Sequence, residues 1–184
     1  MNKKYKICVV GAGRWGQNHV KTLFSLNALG GVVDDSNLVL EFIKSKYSSC
    51  DTFNYLNDSF KKDFDGYIIS TPPATHFELA KKIIEMGKPV LVEKPLTLCL
   101  QDAIKLNELA KSNNVNLMVG HLLLFHPAFI KIKELIDSGL LGEVQYIYSN
   151  RLNLGNFRSD ENVLWSFAPH DIALFNFFFN ETPV

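Results

Sequence analysis

Two short segments carry the residues whose types and spacing could do chemistry. The first is Val10-Gly11-Ala12-Gly13-Arg14-Trp15-Gly16, and the second is Val92-Glu93-Lys94-Pro95. A GxGxxG turn between a strand and a helix can cradle the pyrophosphate of a dinucleotide. A lysine just past a buried strand could hold a reacting hydroxyl group and, when partly desolvated, exchange protons near neutrality. Together the two segments predict hydride transfer between a nicotinamide dinucleotide and a small polar molecule.

Each glycine of the first segment has its own expected role. Gly11 permits the tight turn, Gly13 lets the pyrophosphate approach the backbone, and Gly16 lets the following helix pack close to the sheet. The N-terminus of that helix offers N–H groups and a partial positive charge to the phosphates. Arg14 and Trp15 either contact the cofactor or only cover the turn, and both interpretations stay open.

An acidic residue follows the second predicted strand at the distance typical of NAD-binding folds. Asp34 lies 23 residues after Gly11, where a carboxylate binds the 2′-hydroxyl of the adenine ribose. The same charge would repel the 2′-phosphate of NADP, so NAD is the favoured cofactor and NADP the less favoured one. The alternative is that Asp34 and Asp35 only begin a solvated turn.

The segments around these residues alternate between strand and helix patterns. Short apolar runs predict six strands, at Lys6–Val10, Gly31–Val33, Thr52–Tyr55, Tyr67–Ser70, Pro89–Val92 and Asn116–Val119. Helix patterns lie between them, including one that a capping box of Thr75 and Glu78 would start. This alternation from Lys6 to Gly120 predicts the α/β class, with a Rossmann-type, doubly wound parallel sheet covered by helices on both faces.

A different pattern begins after Gly120 and predicts a second domain. The expected elements are a helix, a long strand with alternating apolar residues, and a phenylalanine-rich helix, at Pro127–Ser138, Gly142–Asn153 and Pro169–Asn180 respectively. We therefore divide the chain into a dinucleotide-binding domain at 1–121 and the beginning of a second, α+β domain at 122–184.

Residues that could bind a ligand follow the predicted strands directly. Thr71-Pro72-Pro73, Glu93-Lys94-Pro95 and Gly120-His121 come after the fourth, fifth and sixth strands. Ligands of open parallel sheets bind past the carboxyl ends of the strands, so we expect Glu93, Lys94 and His121 to lie beside the cofactor. Glu93 would orient Lys94 or cap a neighbouring backbone group, and Lys94 taken alone could equally be a surface lysine. The Lys94–Pro95 peptide bond is a candidate for the cis form.

Composition argues against several classes of protein. The 184 residues contain 19 basic and 19 acidic side chains, so charge gives no reason to expect nucleic acid or an anionic membrane as a partner. No run approaches the roughly 18 apolar residues of a membrane span, and the apolar stretch Ile7–Val10 is too short for a signal peptide. Three separate cysteines without a CxxC motif indicate reduced thiols in the cytoplasm, and we expect no metal site.

The motifs resemble those of the glucose-fructose oxidoreductase / inositol dehydrogenase family, also called Gfo/Idh/MocA. The resemblance rests on the GxGxxG turn, on Ser70-Thr71-Pro72-Pro73-Ala74-Thr75-His76 and on Glu93-Lys94-Pro95-Leu96, in the family's order. It implies an enzyme that uses NAD or NADP to oxidise or reduce a hydroxyl or ketone, mostly on sugars and cyclitols. It also implies that Lys94 is catalytic and that Thr71, Pro72 and His76 line the cofactor pocket.

The resemblance further implies a catalytic histidine in an Asp-x-x-x-His pattern that begins a helix. His170 fits that place and would be the general base. Ser166 stands where the family often has Asp, and a serine cannot hold an imidazolium by charge. His170 therefore works with Lys94 alone or depends on another residue for its orientation. Asp171 could instead cap its own helix.

Two arginines give the substrate prediction. Arg151 and Arg158 could bind a diphosphate by paired hydrogen bonds or could be solvated surface groups. The stretch from Gly120 to His170 is similar to the family branch that acts on nucleotide-activated amino sugars in surface-polysaccharide synthesis. We therefore expect a UDP-linked amino sugar, bound by Lys94, Arg151, Arg158 and His170.

Members of the family run to nearly twice this length, and their second domain is a large antiparallel sheet that commonly forms the oligomer interface. This chain supplies one clear strand of that sheet, so we expect the second domain to be truncated. We expect the 184-residue chain to bind NAD but to turn over poorly or not at all. A homo-oligomer is expected for the full-length enzyme. The alternative to an active enzyme is a non-catalytic NAD-binding module or an inactive remnant of such an enzyme.

Overall fold

Six short parallel strands form the centre of the first part of the chain. The computed structural model describes residues 4–152 and 162–179, and the chain divides into two units, Met1–Gly120 and His121–Val184. The strands of the first unit are β1 Ile7–Val10, β2 Leu29–Val33, β3 Asp51–Phe53, β4 Gly66–Ile69, β5 Val90–Val92 and β6 Leu117–Val119. They lie in the order β3-β2-β1-β4-β5-β6, and every neighbouring pair is parallel. The predicted Rossmann-type α/β fold is confirmed.

Helices connect successive strands and cover the sheet. The first unit contains α1 Gly16–Ser25, α2 Asn37–Lys46, α3 Leu56–Ser59, α4 His76–Glu85 and α5 Leu100–Ser112. The chain winds from β1 through β2 to β3 on one side of β1 and then returns to place β4 on the other side, so the winding direction changes between β1 and β4. The crevice past the carboxyl ends of these two strands is the position at which open α/β sheets bind ligands.

The core has two layers, one on each face of the sheet, because side chains alternate along a strand. On β1, Val9 belongs to the layer under α1 and α2, which also contains Val20 and Ile43. Cys8 and Val10 belong to the opposite layer, formed with α4 and α5. Fully burying an aliphatic side chain contributes about 1.5–3 kcal/mol, so these layers fix the strands that carry the site.

The start of α4 differs from the predicted capping box. Thr75 already has helical backbone angles, φ −97° and ψ −11°, because the chain enters α4 through a short 3-10 turn at Pro73–Thr75. Its hydroxyl donates to the carbonyl of Pro72 instead of capping the helix. The capping-box prediction for Thr75 and Glu78 is therefore wrong, although the helix itself is present.

The second unit contains α6 Pro127–Asp137 and α7 Val163–Phe179. Helix α7 begins six residues before the predicted start at Pro169, because Asn162 caps it by accepting a hydrogen bond from the Trp165 amide at 3.1 Å. Proline favours a first helical turn, which made Pro169 a misleading start signal. In the parts of this unit that the structure describes, no strands pair to form the expected antiparallel sheet.

The long strand predicted at Gly142–Asn153 is wrong for the residues up to 152, which adopt no regular secondary structure. An alternating pattern makes a strand only when a neighbouring strand accepts its backbone hydrogen bonds, and none lies beside it among residues 121–152 and 162–179. Asn153 lies outside the described residues. Within the described ranges, no helix has both the length and the apolar composition needed to cross a membrane.

Candidate active site

Loops from four strands begin at one level of the sheet. The amide of Gly11 donates to Val33, that of Ser70 to Val10, and that of Gly120 to Val92, each at 2.8 Å. The Glu93 amide extends the same ladder by donating to the Ile69 carbonyl at 2.9 Å. The sheet therefore brings the glycine turn, the Thr71 loop and the Glu93-Lys94 segment to a common edge, as predicted from the strand order.

The glycine turn has the geometry that a pyrophosphate site needs. Gly11 has φ +86°, and a Cβ there would lie 2.8 Å from the Ser70 carbonyl oxygen. A Cβ on Gly16 would lie 2.0 Å from the Gly11 carbonyl oxygen, so α1 packs directly on the turn. A Cβ on Gly13 would meet nothing within 4 Å, which leaves a cradle open above the backbone. No side chain caps α1, and its first-turn amides suit an anion.

Asp34 links the end of β2 to the glycine turn. One carboxylate oxygen accepts the Ala12 amide at 2.8 Å, and the other accepts the Ser36 amide at 3.0 Å. The side chain is half-buried, unlike the exposed Asp35. Asp34 is thus held beside the turn, at the position from which a carboxylate reaches an adenosine ribose. Arg14 and Trp15 are both exposed at the same turn, and their contact with a cofactor stays a prediction.

Glu93 is a buried carboxylate held by several donors. Its Oε1 atom accepts the Trp15 indole N–H at 2.7 Å and lies 2.7 Å from His19 Nε2. Its Oε2 atom accepts the Lys94 amide at 3.3 Å. Burial raises the pKa of Glu93, but hydrogen bonds from His19 and Trp15 outweigh that effect, so the pKa lies below its ordinary value.

Lys94 follows Glu93 in the predicted place. The residue is half-buried, and the Lys94–Pro95 peptide bond is cis, as predicted. Pro95 is buried behind it. The catalytic role of Lys94 stays a prediction.

His76 lies behind two of the loops. It is 1% exposed, with Nδ1 2.8 Å from the Pro95 carbonyl oxygen and Nε2 2.9 Å from the Thr71 carbonyl oxygen. A neutral imidazole carries one N–H, so donating to both carbonyls at once needs the doubly protonated ring. His76 connects the Thr71 and Pro95 loops, and its contact with a cofactor stays a prediction, as do those of half-buried Thr71 and exposed Pro72.

The second unit contains the other predicted site residues. His170 is half-buried within α7, and its ring lies edge-on to that of His121, with centroids 6.4 Å apart. Arg151 Nε donates to Asp171 Oδ2 at 2.7 Å, and Ser149 donates to Asp171 Oδ1 at 3.1 Å. The expectation that Asp171 caps its helix is wrong, because α7 begins eight residues earlier. Arg158 lies outside the described residues.

His19 is the site residue that sequence reasoning missed. It lies four positions after Trp15, so both side chains project from the same face of the N-terminal turn of α1, and both reach Glu93. The available signal was this spacing of two N–H donors together with a glutamate that ends a buried strand. A single histidine on a helix gives no such signal by itself.

The chain has identifiable relatives. A family model described as an oxidoreductase family with an NAD-binding Rossmann fold matches residues 5–121. Scyllo-inositol 2-dehydrogenase (NAD(+)) of Bacillus subtilis is 32% identical over 79% of this chain and 44% of its own length. UDP-N-acetylglucosamine 3-dehydrogenase of Acidithiobacillus ferrooxidans is 30% identical over 90% of this chain and 51% of its own length.

Among solved structures, an NAD-binding protein from Listeria innocua superposes with a TM-score of 0.81 at 26% identity, covering 97% of this chain and 56% of that protein. The chain thus spans about half the length of the curated relatives it matches. The family's Rossmann fold is an NAD-binding one, which agrees with the NAD cofactor predicted from the glycine turn and Asp34. By the model match and by the relatives at 30% identity or more, the chain belongs to the Gfo/Idh/MocA oxidoreductase family.

Proposed function

We propose that the chain binds NAD at the carboxyl edge of its parallel sheet and uses Lys94 in the oxidation or reduction of a hydroxyl or ketone on a sugar or polyol. One observation carries the proposal. The open cradle over Gly13, the carboxylate of Asp34 and the Glu93-Lys94 segment all follow strands of one sheet, around the point where its winding reverses. The phosphates, the adenosine ribose and the reacting end of a dinucleotide need these three features in that order.

The residues present fit NAD. The pyrophosphate would lie over Gly13, against the first-turn amides of α1, where a Cβ would otherwise stand. Asp34 would accept hydrogen bonds from the hydroxyls of the adenosine ribose and would repel a 2′-phosphate. NAD, when bound, supplies the ring carbon that accepts or returns a hydride.

The protein's own contribution is to hold the substrate oxygen and move its proton. The Lys94 ammonium would donate a hydrogen bond to the reacting oxygen, which favours the alkoxide character that develops as hydride leaves carbon. His170 would be the general base that takes the hydroxyl proton during oxidation and returns it during reduction. Ser166, one helical turn before His170, supplies no charge to support an imidazolium.

The substrate class follows from the relatives together with the arginines. The two relatives described above act on an inositol and on UDP-N-acetylglucosamine, according to their names. Of these two kinds of substrate, we favour a UDP-linked amino sugar, with Arg151 and Arg158 as the ligands of its diphosphate. Arg151 already pairs with Asp171 through Nε, so its remaining N–H groups would serve the diphosphate. A homo-oligomer and a cytoplasmic location belong to the same proposal.

Cofactor titration and turnover test the proposal. Isothermal titration calorimetry is expected to show tighter binding of NAD than of NADP, and NADH absorbance reports oxidation of UDP-N-acetylglucosamine or scyllo-inositol. Lys94→Met is expected to lower turnover by about 10²–10⁴-fold while the Kd for NAD changes by less than about twofold.

Lys88→Met is the matched control, because Lys88 precedes the same strand at its opposite end and pairs with Asp63 at 2.9 Å. It is expected to leave the Kd for NAD and the turnover unchanged. Binding of NAD with no turnover on any substrate would support the binding-module alternative, and absence of NAD binding would refute the proposal.

A further inference from the structure

A single carboxylate joins the phosphate turn to the strand that carries Lys94. Glu93 is 8% exposed, and one of its oxygens, Oε1, receives both the Trp15 indole N–H and the His19 ring at 2.7 Å. Because a carboxylate at this site can only accept, His19 Nε2 carries the proton of that contact. We call Trp15, His19 and Glu93 the carboxylate clamp.

The three members of the carboxylate clamp come from the two sides of the site. Trp15 lies inside the phosphate turn and His19 on the first turn of α1, whereas Glu93 directly precedes Lys94 and accepts its amide. The contacts span 78 and 74 residues of sequence. A change in the position of Glu93 therefore moves both the turn that faces the pyrophosphate and the backbone of the lysine.

The end of β6 leaves room for this carboxylate. A Cβ on Gly120 would lie 3.0 Å from Glu93 Oε2 and 3.2 Å from Oε1. Those distances are tighter than ordinary van der Waals contact, so a side chain at position 120 would press on Glu93. Gly120→Ala is thus a probe that perturbs the carboxylate clamp without removing any of its members.

We propose that the carboxylate clamp positions the phosphate turn for NAD and that His19 makes the affinity for NAD depend on pH. The inference rests on the proposed function, because it concerns the same cofactor site. His19 is a protonatable partner of Glu93. Two other groups that contact this carboxylate, the Trp15 indole and the Lys94 amide, keep their protons throughout the neutral range.

The expected sign follows from the charges. The low pKa of Glu93 keeps it ionised through the neutral range. A second proton on His19 makes the His19–Glu93 contact a charge-assisted hydrogen bond. The added positive charge also lies on the helix that faces the pyrophosphate. NAD binding is expected to tighten by about two- to fivefold from pH 8 to pH 6, the effect of a partly exposed ion pair.

Calorimetric titration of NAD at pH 6 and pH 8 tests the carboxylate clamp, with thermal unfolding measured on the same samples. His19→Gln keeps an N–H donor but cannot gain a charge, so it is expected to lose the pH dependence of NAD binding. His19→Leu, Trp15→Phe and Glu93→Gln each remove a donor or the charge and are expected to weaken NAD binding at both pH values, by about threefold or more.

His126→Gln is the matched control, because His126 is an exposed histidine of the second unit and should leave the pH dependence intact. Retention of the wild-type pH dependence by His19→Gln would overturn the proposal, as would wild-type affinity in Glu93→Gln. If Glu93→Gln fails to fold, Gly120→Ala tests the carboxylate clamp in its place. Weaker NAD binding by Gly120→Ala is expected, and wild-type binding would contradict the carboxylate clamp. A wild-type chain that binds no NAD at either pH refutes the proposed function itself and the carboxylate clamp with it.

Discussion

The two glycines at positions 13 and 16 should respond in opposite ways to the same substitution. In Gly16→Ala the new methyl group would stand 2.0 Å from the Gly11 carbonyl oxygen, so the turn or α1 must shift by more than an ångström. Such crowding costs about 1–3 kcal/mol, partly offset by the better helix propensity of alanine, which is worth up to about 1 kcal/mol. We expect a net loss of about 1–2 kcal/mol, or roughly 2–8 °C in the unfolding midpoint for a chain of this size.

Gly13→Ala should leave the fold intact and damage the site. The new methyl group meets no protein atom within 4 Å, and alanine restricts the unfolded chain, so stability should stay level or rise by up to about 1 kcal/mol. The same methyl group occupies the cradle in which the pyrophosphate would lie. The Kd for NAD is therefore expected to rise at least about tenfold, which corresponds to about 1.4 kcal/mol.

Circular dichroism melts and calorimetric NAD titrations on both variants separate the two effects. The expected pattern is a lower midpoint for Gly16→Ala and an unchanged or higher midpoint with weak NAD binding for Gly13→Ala. Wild-type affinity in Gly13→Ala would show that the pyrophosphate does not lie over this residue. An unchanged midpoint in Gly16→Ala would refute the close approach of α1 to the turn.

Three further outcomes are expected. Asp34→Asn removes the charge that opposes a 2′-phosphate, so calorimetry should show the ratio of the NADP and NAD dissociation constants falling by about tenfold or more; an unchanged ratio would exclude Asp34 from the ribose site. Because the pKa of Glu93 is lowered in the folded chain, its stabilising effect is present above the ordinary carboxyl range and is lost as the pH falls through the lowered pKa. Urea unfolding should therefore show the stability advantage of the wild type over Glu93→Gln shrinking from pH 6 to pH 3, and a constant difference would contradict this. Burial raises the pKa of Cys8 and raises that of Cys50 to about 11, so iodoacetamide at pH 8 should modify the exposed Cys99 alone until the chain is denatured, as mass spectrometry can determine.

The fold of the first unit was predictable because each local strand pattern in its sequence has a parallel neighbour in the sheet. Short apolar runs marked the strands of this unit, and each of its six predicted strands overlaps an observed one. The parallel order then placed Asp34 and Lys94 at one edge without any knowledge of side-chain contacts. The Lys94–Pro95 bond was a candidate for the cis form from the sequence, and it is cis.

The errors arose where the structure of a segment depends on residues that are not next to it in the sequence. Pro169 is a good first-turn residue, but Asn162 supplies a true cap seven residues before the predicted start. The alternation of Val144, Tyr146 and Tyr148 fits a strand, yet no strand pairs with it in the described part of the second unit. His19 was missed because its partner lies 74 residues away and only the assembled sheet brings them together.

The buried imidazole of His76 has a mechanical consequence for the loops in front of it. Its rigid ring lies between two backbone carbonyls, those of Thr71 and Pro95, and no acyclic side chain of similar size holds two nitrogen atoms in that opposed geometry. The ring keeps the two carbonyls at a fixed distance, so the Thr71 and Pro95 loops should move together. Any hinge that admits a dinucleotide must then lie outside these two loops. Amide hydrogen exchange in the two loops should then slow or quicken in step when conditions change.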